Sequence, residues 1–393
     1  MDYETNRAWV EINLDNIAHN VKEIRRIVGE NVELMGVVKA DAYGNGAVEV
    51  AKTLIENGAT RLAVSMLDEA IQLREKGIDN PILILGYTNP KRAEDIVKYN
   101  VAQTIFSYEL AEALSYAAVK LGHKAKIHVK IDTGMTRIGF KPGYSIVESI
   151  LGMSKLPGVV IEGLFTHFAT ADKEDNSYTC LQFERFMSVC VELQRVGVYI
   201  PLKHVANSAA IIKFPEMHLD MVRPGIILYG YYPSPEIKNY KINLLPTMTL
   251  KTKTALVKDV EENVPVSYGG TFTTKRKSKI ATIPIGYADG YFRSLSGRAR
   301  VLINGEYAPL IGTICMDQFM VDVTDLKSSV VSGDEVVVFG KQGSNEISVE
   351  EIASLAGTIN YEIISAVSKR VPRVYFKNGK VYSVLNYLVN DPN

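Results

Sequence analysis

The sequence of 393 residues has little cysteine and no excess of charge of either sign. Its three cysteines (Cys180, Cys190 and Cys315) are widely spaced and form no CxxC pair. This argues against a disulfide framework or a zinc site and favours a reducing compartment. Forty-four Lys and Arg residues balance 44 Asp and Glu residues. A formal net charge of zero argues against nucleic-acid binding as the main role.

Long apolar runs are also missing. No run approaches the roughly 20 residues that a membrane-spanning helix needs. The first residues, MDYETNRAWVEINLDNI, are polar and lack the basic and then apolar order of a leader. We therefore expect a soluble, cytoplasmic protein. Hydrophobic residues still make up 47% of the chain, enough for full cores, and the length favours two domains.

The first part of the chain alternates short apolar runs with amphipathic segments. Apolar, β-branched runs predict strands, and the segments between them have the 3.6-residue periodicity of helices. The runs are LMGVV (34–38), RLAVS (61–65), PILILG (81–86), VAQTIFS (101–107), KIHVKID (126–132), VVIEGLFTH (159–167), LKHVANS (202–208) and MVRPGIILYG (221–230). Eight such units predict a (β/α)₈ barrel of the TIM type over residues 1–242, with a doubly wound sheet as the alternative.

A mostly β C-terminal domain is predicted over residues 243–393. Its β-rich runs are separated by turn residues such as Asn304-Gly305, and one helix near SVEEIASLAGTINYEIISAV interrupts them. RVYFKNGKVYSVL predicts a closing hairpin with Asn378-Gly379 at its tip. The strand-like segment AWVEINL (8–14) belongs either to the barrel or to this second sheet.

Polar residues gather where a barrel places its active site, at the carboxyl ends of the strands. They follow or end four predicted strands, and two more residues lie within the eighth. The residues are Lys39, Asp132, Arg137, His167, Asn207 and Ser208, with Arg223 and Gly225 in the eighth strand. This distribution predicts a site there. His167 could equally be a structural histidine, and Arg223 needs a buried partner if it lies in an apolar strand.

Lys39 stands out because VVKADAYGNG (37–46) ends an apolar run on a lysine and continues into a turn with two glycines. The lysine is either a solvated strand end or an amine at the rim of a pocket. Backbone N–H groups of the turn could approach an anion. A desolvated lysine near other cations can act as a nucleophile, and pyridoxal-phosphate enzymes need such a lysine. The loops after strands seven and eight usually bind phosphate in barrels.

Alternation in KIHVKID predicts that Lys130 points into the barrel, where an unpaired lysine is costly. Either it pairs with Asp132 or snorkels, or its amine is carbamylated by CO₂ and pairs with Arg137. No motif predicts a metal site.

The motifs together resemble the alanine racemase family. VVKADAYGNG is similar to the family's cofactor-lysine motif, and seven further segments follow in the family's order. These are KIDTGMTRIGF, THFATAD, HVANSAA, VRPGIILYG, VSYGG, IPIGYADGY and GTICMDQFMVDV. The resemblance spans nearly the whole chain and implies a barrel followed by a β-domain, in agreement with the patterns above.

The resemblance also implies roles for individual residues. Lys39 would hold pyridoxal 5′-phosphate covalently and act as the base for D-alanine, while Tyr268 of the partner subunit would be the base for L-alanine. Arg223 would hydrogen-bond the pyridine nitrogen of the cofactor, and His167 would support the cofactor ring and Tyr268. The phosphate would be held by Tyr43, Ser208, Gly225, Ile226 and Tyr361. Arg137 and the backbone N–H of Met316 from the partner would bind the substrate carboxylate. Tyr287 and Tyr361 would line the entrance, and carbamylation of Lys130 is a family feature.

These roles imply a homodimer with shared sites, a small-molecule substrate, and a supply of D-alanine for peptidoglycan. An arginine at the pyridine nitrogen hardly protonates it, which should restrain transamination. The alternatives are a racemase for serine or several amino acids, a decarboxylase of the same architecture, and a non-catalytic protein that binds pyridoxal phosphate.

Overall fold

The computed structural model describes residues 5–240 and 242–389. The chain forms two compact units. The barrel unit consists of residues 16–42 and 47–246, with Lys241 outside the described part. The β-rich unit consists, among the described residues, of 5–15, 43–46 and 247–389.

Eight parallel strands form the barrel. Strands are numbered along the whole chain, and β1 (Ala8–Asn13) belongs to the β-rich unit. The barrel strands are β2 (Glu33–Val37), β3 (Arg61–Val64), β4 (Ile82–Ile84), β5 (Ala102–Ile105), β6 (Ala125–Lys130), β7 (Val159–Phe165), β8 (Leu202–His204) and β9 (Met221–Val222). They follow the order β8-β7-β6-β5-β4-β3-β2-β9. The Arg223 N–H donates to the Ala206 carbonyl at 3.0 Å beyond the ends of β8 and β9, so the barrel is nearly closed.

Right-handed helices connect these strands. They are α1 (Leu14–Val28), α2 (Ala47–Glu56), α3 (Leu67–Glu75), α4 (Ala93–Lys98), α5 (Tyr108–Leu121), α6 (Tyr144–Met153), α7 (Ser177–Arg195) and α8 (Ser208–Lys213). Helix α5 shows why they form. Leu110, Ala111 and Leu114 are buried on one face, and Gly122 ends the helix in the left-handed conformation at φ 68°. The predicted (β/α)₈ barrel is therefore confirmed.

The eighth strand is much shorter than the apolar run predicted. It ends at Val222, so the placement of Arg223 and Gly225 within a strand was wrong, and both lie in the loop that follows. Pro224 has no N–H to continue a ladder. Residues Ile226–Tyr229 form a 3₁₀ turn that ends at Gly230, with φ 83°. All four of its side chains are buried, so their apolar run reflects the core and not an extended strand.

The β-rich unit contains a long mixed sheet. Its other strands are β10 (Met248–Lys253), β11 (Leu256–Val260), β12 (Pro265–Val266), β13 (Phe272–Thr273), β14 (Ser278–Ile283), β15 (Arg300–Ile303), β16 (Glu306–Ile311), β17 (Phe319–Asp322), β18 (Glu335–Gln342), β19 (Asn345–Ile347), β20 (Arg373–Lys377) and β21 (Lys380–Leu385). The sheet runs β11-β14-β17-β16-β15-β18-β10-β1-β20-β21, with β19 on β18 and a separate β12–β13 pair. Strand β1 thus lies in this sheet, antiparallel to β10 and parallel to β20.

Turn chemistry explains the hairpins of this unit. Asn304-Gly305 and Asn378-Gly379 all have positive φ, as a tight hairpin turn requires, and both predicted turns are confirmed. The single predicted helix is in fact two, α9 (Val349–Ala356) and α10 (Asn360–Ala366). Gly357, at φ 78°, ends the first of them.

Helices of the described segments are all too short or too polar to cross a membrane. Within the same segments, no group of three or more His, Cys, Asp or Glu side chains could hold a metal ion.

Candidate active site

Lys39 follows the first barrel strand, β2, by two residues at its carboxyl end. Three hydrogen bonds fix the backbone before it. The Val38 N–H donates to the Ala63 carbonyl at 2.8 Å, the Val37 N–H donates to the Pro224 carbonyl at 3.0 Å, and the Tyr229 hydroxyl donates to the Val37 carbonyl at 2.8 Å. The Lys39 side chain therefore extends from a backbone that the barrel holds in place, at the end of the barrel where the sequence predicted a site.

The chain turns with the left-handed helical sense directly after Lys39. Ala40, Asp41, Ala42 and Tyr43 have φ between 51° and 55°, although none is glycine. Each such residue costs about 1–2 kcal/mol relative to a right-handed one. The Ala40 N–H donates to Glu69 Oε1 at 2.6 Å, and the Ala42 N–H donates to the Val38 carbonyl at 2.9 Å. The N–H groups of Ala40 and Ala42 are therefore hydrogen-bonded within the protein. The prediction that backbone N–H groups of this turn approach an anion does not hold for these two residues.

Glu69 shapes the turn after Lys39 and was not among the residues predicted from the sequence. Its carboxylate accepts from the N–H groups of Ala40, Ser65 and Met66, and so ties the turn after Lys39 to the start of α3. The available signal was its place three residues after Met66, where an acidic residue often completes a capping box.

Four cationic side chains influence one another at this end of the barrel: Lys39, Lys130, Arg137 and Arg223. Burial lowers the pKa of Lys39, and Arg137 lowers it further against the opposing effect of Glu69. Burial and then Arg137 lower the pKa of Arg223 to about 9. The excess of positive charge suits an anionic ligand.

Lys130 is buried inside the barrel, as the alternation in its strand predicted. Its Nζ lies 4.7 Å from the centre of the Phe165 ring, and 4% of the residue is exposed. Burial, Arg223 and Arg137 lower its pKa well below 10.5. The predicted pair with Asp132 does not form among the described residues. The Asp132 carboxylate instead accepts from the N–H groups of Gly134 and Thr136, which shapes the loop leading to Arg137.

His167 follows β7 by two residues and faces Arg223. Its Nδ1 lies 3.4 Å from Arg223 Nη2, and burial, then Arg223, lowers its pKa well below 6.5. The imidazole is therefore neutral. Gln182 on α7, also missed from the sequence, donates to the His167 carbonyl at 3.2 Å and accepts from the Ala169 N–H at 2.9 Å. Helix α7 thus holds the loop after β7 through a fully buried amide.

The loops after β8 and β9 meet at Ser208 and Gly225. The Gly225 N–H donates to Ser208 Oγ at 2.9 Å, and Asn207 caps α8 by accepting from the Ala210 N–H at 3.0 Å. Ile226 is fully buried directly beyond this contact. Two of the residues predicted to bind the phosphate, Ser208 and Gly225, are therefore held at one point of the barrel's carboxyl end.

Tyr43 and Tyr361 lie together within the β-rich unit. Their ring centres are 6.1 Å apart, and burial raises the pKa of Tyr43, so its phenol stays protonated. Tyr43 is the last residue of the left-handed turn, at φ 55°. The resemblance to the family had assigned both tyrosines to the cofactor, but no local pattern in the sequence indicated that their rings lie close together.

Tyr268, Met316 and Tyr287 lie on exposed loops of the β-rich unit, with 73%, 53% and 42% of their surface accessible. Backbone bonds join the loops. The Tyr287 N–H donates to the Cys315 carbonyl at 3.1 Å, and the Ala288 N–H donates to the Met316 carbonyl at 3.0 Å. Thr313 Oγ1 donates to the Tyr268 carbonyl at 3.0 Å. The three predicted residues therefore share one framework.

Comparisons with known proteins agree with this arrangement. Residues 12–233 match the family model "Alanine racemase, N-terminal domain", and residues 247–375 match "Alanine racemase, C-terminal domain". An alanine racemase of Clostridium perfringens is 51% identical over 388 residues, which cover 99% of this chain and all of that protein. The structure of alanine racemase from Clostridium difficile 630 has a TM-score of 0.95 at 46% identity and covers 98% of this chain and 100% of that one.

A second structure of the Clostridium difficile 630 enzyme, in complex with cycloserine, has a TM-score of 0.92 at 44% identity and again covers 98% of this chain and 100% of that chain. Both halves of the sequence, the barrel with its cationic site and the β-rich unit with its exposed tyrosine loop, match the same kind of enzyme. The chain belongs to the alanine racemase family, a family of pyridoxal-phosphate-dependent isomerases.

Proposed function

We propose that this protein interconverts L-alanine and D-alanine with pyridoxal 5′-phosphate as its cofactor. The observation that carries the proposal is the group of four cationic side chains, Lys39, Lys130, Arg137 and Arg223, at the carboxyl end of the barrel. Family membership supplies the reaction. In this family the D-alanine serves peptidoglycan, and we infer a cytoplasmic location because peptidoglycan precursors are made there.

The residues fit the cofactor in three respects. Its phosphate and the substrate carboxylate are anions, which the cationic group would neutralise. Arg223 has N–H groups beyond those bonded to His204, Thr166 and Val205, and one of them can donate to the ring nitrogen. Lys39 offers an amine with a lowered pKa. When bound, pyridoxal phosphate withdraws electrons from the substrate and makes its α-proton removable.

Further residues would hold the cofactor. Ser208, Gly225 and Ile226, already joined at one point of the barrel, would bind the phosphate together with Tyr43 and Tyr361 of the β-rich unit. His167 would support the cofactor ring as a neutral imidazole. Tyr287 and Tyr361 would line the entrance.

Two bases on opposite faces of the substrate would move the α-proton. Lys39 would remove it from D-alanine or return it, and its lowered pKa makes a neutral, accepting amine available. Tyr268 of the partner subunit would do the same for L-alanine. Its large exposure in the single chain suits a residue that acts across an interface. Arg137 and the Met316 N–H of the partner subunit would hold the substrate carboxylate.

Lys130 would be carbamylated. Burial together with Arg223 and Arg137 favours its neutral amine, which is the form that attacks CO₂. The nitrogen of the neutral amine forms a bond to carbon, one C–O π bond of CO₂ opens onto its oxygen, and the nitrogen releases one proton. A neutral buried amine thus becomes a carbamate anion that can pair with Arg137. Mass spectrometry of the intact protein should show a modification that is lost on acidification.

The test incubates the purified protein and pyridoxal phosphate with L-alanine, and separately with D-alanine, in deuterated water. Both enantiomers should lose optical activity and gain α-deuterium, and Tyr268→Phe should slow this by orders of magnitude while the cofactor stays bound. If borohydride attaches the cofactor to Lys39 but neither alanine changes, the proposed substrate is wrong. Tyr287→Phe, in the neighbouring loop, serves as a control for the fold of that framework.

A further inference from the structure

A continuous hydrogen-bonded chain runs through the inside of the barrel and ends on Arg223. Arg223 Nη1 lies 2.8 Å from His204 Nδ1, and His204 Nε2 lies 2.9 Å from His128 Nδ1. His128 Nε2 lies 3.1 Å from Glu162 Oε2, and Arg61 Nη1 donates to the same oxygen at 3.1 Å. The function proposed above uses only Arg223 of this chain.

The two ends leave the protons of this chain only one arrangement. A guanidinium can only donate, so His204 Nδ1 must accept and His204 carries its proton on Nε2. His204 then donates to His128 Nδ1, and His128 carries its proton on Nε2. An ionised carboxylate can only accept, so Glu162 takes that proton as a hydrogen bond. Both imidazoles are therefore neutral, and every bond points from Arg223 toward Glu162.

The charge states required by this arrangement agree with the surroundings. Both histidines are fully buried, and burial lowers the pKa of each, that of His204 with a further contribution from Arg223. Burial alone would raise the pKa of Glu162, but the bond from His128 and the charge of Arg61 outweigh it and lower that pKa to about 2. Glu162 is thus an anion throughout the physiological range.

Packing holds the rings in place. Phe165 stacks on His204 with ring centres 4.7 Å apart and planes 5° from parallel, and the Arg223 guanidinium lies over the same phenyl ring at 5.2 Å. On the other side, Gly163 makes room for His128, because a Cβ at that position would overlap with its Nδ1. The glycine and the phenylalanine together leave each imidazole little freedom to turn.

We propose that Glu162, His128 and His204 are positioning residues that fix the orientation of Arg223 toward the cofactor ring through a hydrogen-bond chain of a single direction. The proposal rests on the proposed function, in which Arg223 contacts the ring nitrogen. Glu162 acts by accepting a hydrogen bond at the amino end of the barrel, and it touches neither substrate nor cofactor.

The first measurement determines the tautomers by ¹⁵N NMR of protein labelled at the histidine rings. Signals of His128 and His204 are identified by their loss in the two His→Asn variants. The unsubstituted protein should show both rings neutral and protonated on Nε2. Glu162→Leu leaves the His128 N–H without an acceptor. The His128 ring can regain an acceptor only by turning or by moving its proton to the other nitrogen. Either change breaks its hydrogen bond to His204, so the single tautomer should be lost.

The second measurement is the amount of pyruvate formed per alanine racemised. Pyruvate forms when the proton is delivered to the cofactor instead of the substrate and water then hydrolyses the bond between the α-carbon and nitrogen. The water supplies the carbonyl oxygen, and the amino group stays on the cofactor as pyridoxamine phosphate. With Arg223 less well oriented, Glu162→Leu should raise this ratio about threefold or more at a nearly unchanged KM. Arg223→Glu removes the guanidinium itself and should give the highest ratio of pyruvate formed to alanine racemised.

Matched variants separate the hydrogen bond from the charge and from general damage. Glu162→Gln keeps an acceptor and should retain both the tautomers and the ratio. Glu33→Gln alters a carboxylate 3.6 Å from Arg61 that does not touch His128, and it should match the unsubstituted protein. If Glu162→Leu does not fold, Gly163→Ala offers a second way to displace His128 and should change the tautomers and the ratio in the same directions.

The proposal is overturned if Glu162→Leu leaves the tautomers and the ratio unchanged, if racemisation and pyruvate formation fall in parallel, or if Glu162→Gln behaves like Glu162→Leu. The NMR result is independent of catalysis. A protein without racemase activity but with the predicted tautomers would contradict the proposed function and leave the hydrogen-bond chain intact.

Discussion

Individual residues of the barrel show how burial converts ordinary side chains into reactive ones. Lys39 and Lys130 are both lysines at strand ends, and in both the loss of solvent lowers the pKa of the amine more than nearby carboxylates raise it. Neighbouring arginines act in the same direction. In both lysines the surroundings therefore favour the neutral amine, which is the form that accepts a proton or attacks a carbon.

Sequence patterns reach some of these residues and not others. The alternation in KIHVKID was enough to predict that Lys130 faces inward, because strand geometry alone decides it. His204 and Glu162 were missed although both lie in predicted strands. Their role depends on contacts with residues 19 to 101 positions away, from His204 with Arg223 to Glu162 with Arg61. A pattern local to one strand contains no information on such contacts.

Stability should depend on pH through Glu162. Its folded-state pKa of about 2 lies below the ordinary 4.5, so its contribution is fully present above pH 4.5 and is lost as the pH falls toward 2. We expect Glu162→Gln to lower the free energy of unfolding by up to about 3 kcal/mol at pH 7, with a smaller difference at pH 3.

Urea unfolding at both pH values measures this difference. Glu33→Gln is the matched control, since its more exposed ion pair with Arg61 should contribute less than about 1 kcal/mol. If Glu162→Gln lowers the free energy of unfolding equally at pH 7 and pH 3, the effect does not come from the ionisation of Glu162.

Among the secondary-structure elements, the left-handed turn at residues 40–43 departs most from what the sequence indicates. ADAY contains no glycine, and alanine favours right-handed helices, so no local rule predicts positive φ there. The conformation persists because the Ala40 N–H donates to Glu69 and the Ala42 N–H donates to the Val38 carbonyl. The short eighth strand has the same origin, since burial of the 226–229 turn overrides the strand-like composition of its residues.

Ala40 is suited to test this turn because its side chain is exposed while its backbone has φ 51°. Ala40→Val should destabilise the protein by roughly 2 kcal/mol or more, because a β-branched residue is strongly disfavoured in the left-handed region. Ala40→Gly should be nearly neutral, since relief of strain offsets the greater freedom of the unfolded chain.

Thermal or urea unfolding measures both variants. Ala113→Val, in the right-handed helix α5, is the control for helix propensity and should cost only about 0.7 kcal/mol. If Ala40→Val costs no more than Ala113→Val, positive φ at Ala40 is not a source of strain.

For the whole molecule, the proposed catalytic residues belong to different units of the chain. Lys39 is in the barrel unit, and Tyr268 is on an exposed hairpin loop of the β-rich unit. Val266 of that hairpin packs against Ile280 and Ile311 in a buried apolar cluster. The alternation of apolar and amphipathic segments predicted the first domain, and the β-rich runs predicted the second. Only the resemblance to the family indicated that the tyrosine acts in another subunit.

Mixed dimers test whether sites are shared. Lys39→Ala and Tyr268→Phe should each be nearly inactive alone. After the two are mixed and allowed to exchange subunits, half of the dimers carry one site with both residues intact, so about a quarter of the unsubstituted activity should return. No recovery, with exchange verified by a size tag, would place both bases in one chain. A mixture of Lys39→Ala with Lys39→Ala carrying the tag is the control.

Residues 43–46 interrupt the barrel unit in sequence and belong to the β-rich unit. There Arg373, 1% exposed, donates to the Gly44 carbonyl at 3.1 Å, and Thr247 Oγ1 donates to Asn45 Oδ1 at 2.9 Å. A Cβ on Gly44 would overlap with the Ile364 carbonyl. Four residues that follow Lys39 closely in sequence are thus shaped by contacts with distant residues such as Thr247, which is 202 positions from Asn45.

This arrangement limits how such a protein can be cut or recombined. A fragment ending at Pro246 would retain Lys39 and every cationic residue of the site, yet the tetrapeptide next to the lysine would lack the partners that define it. In a chimera, exchange of the C-terminal half alone would pair this tetrapeptide with a foreign surface. Only the entire chain therefore keeps all of these contacts. Recombination within the family should succeed best when residues 43–46 and the C-terminal half come from the same parent protein.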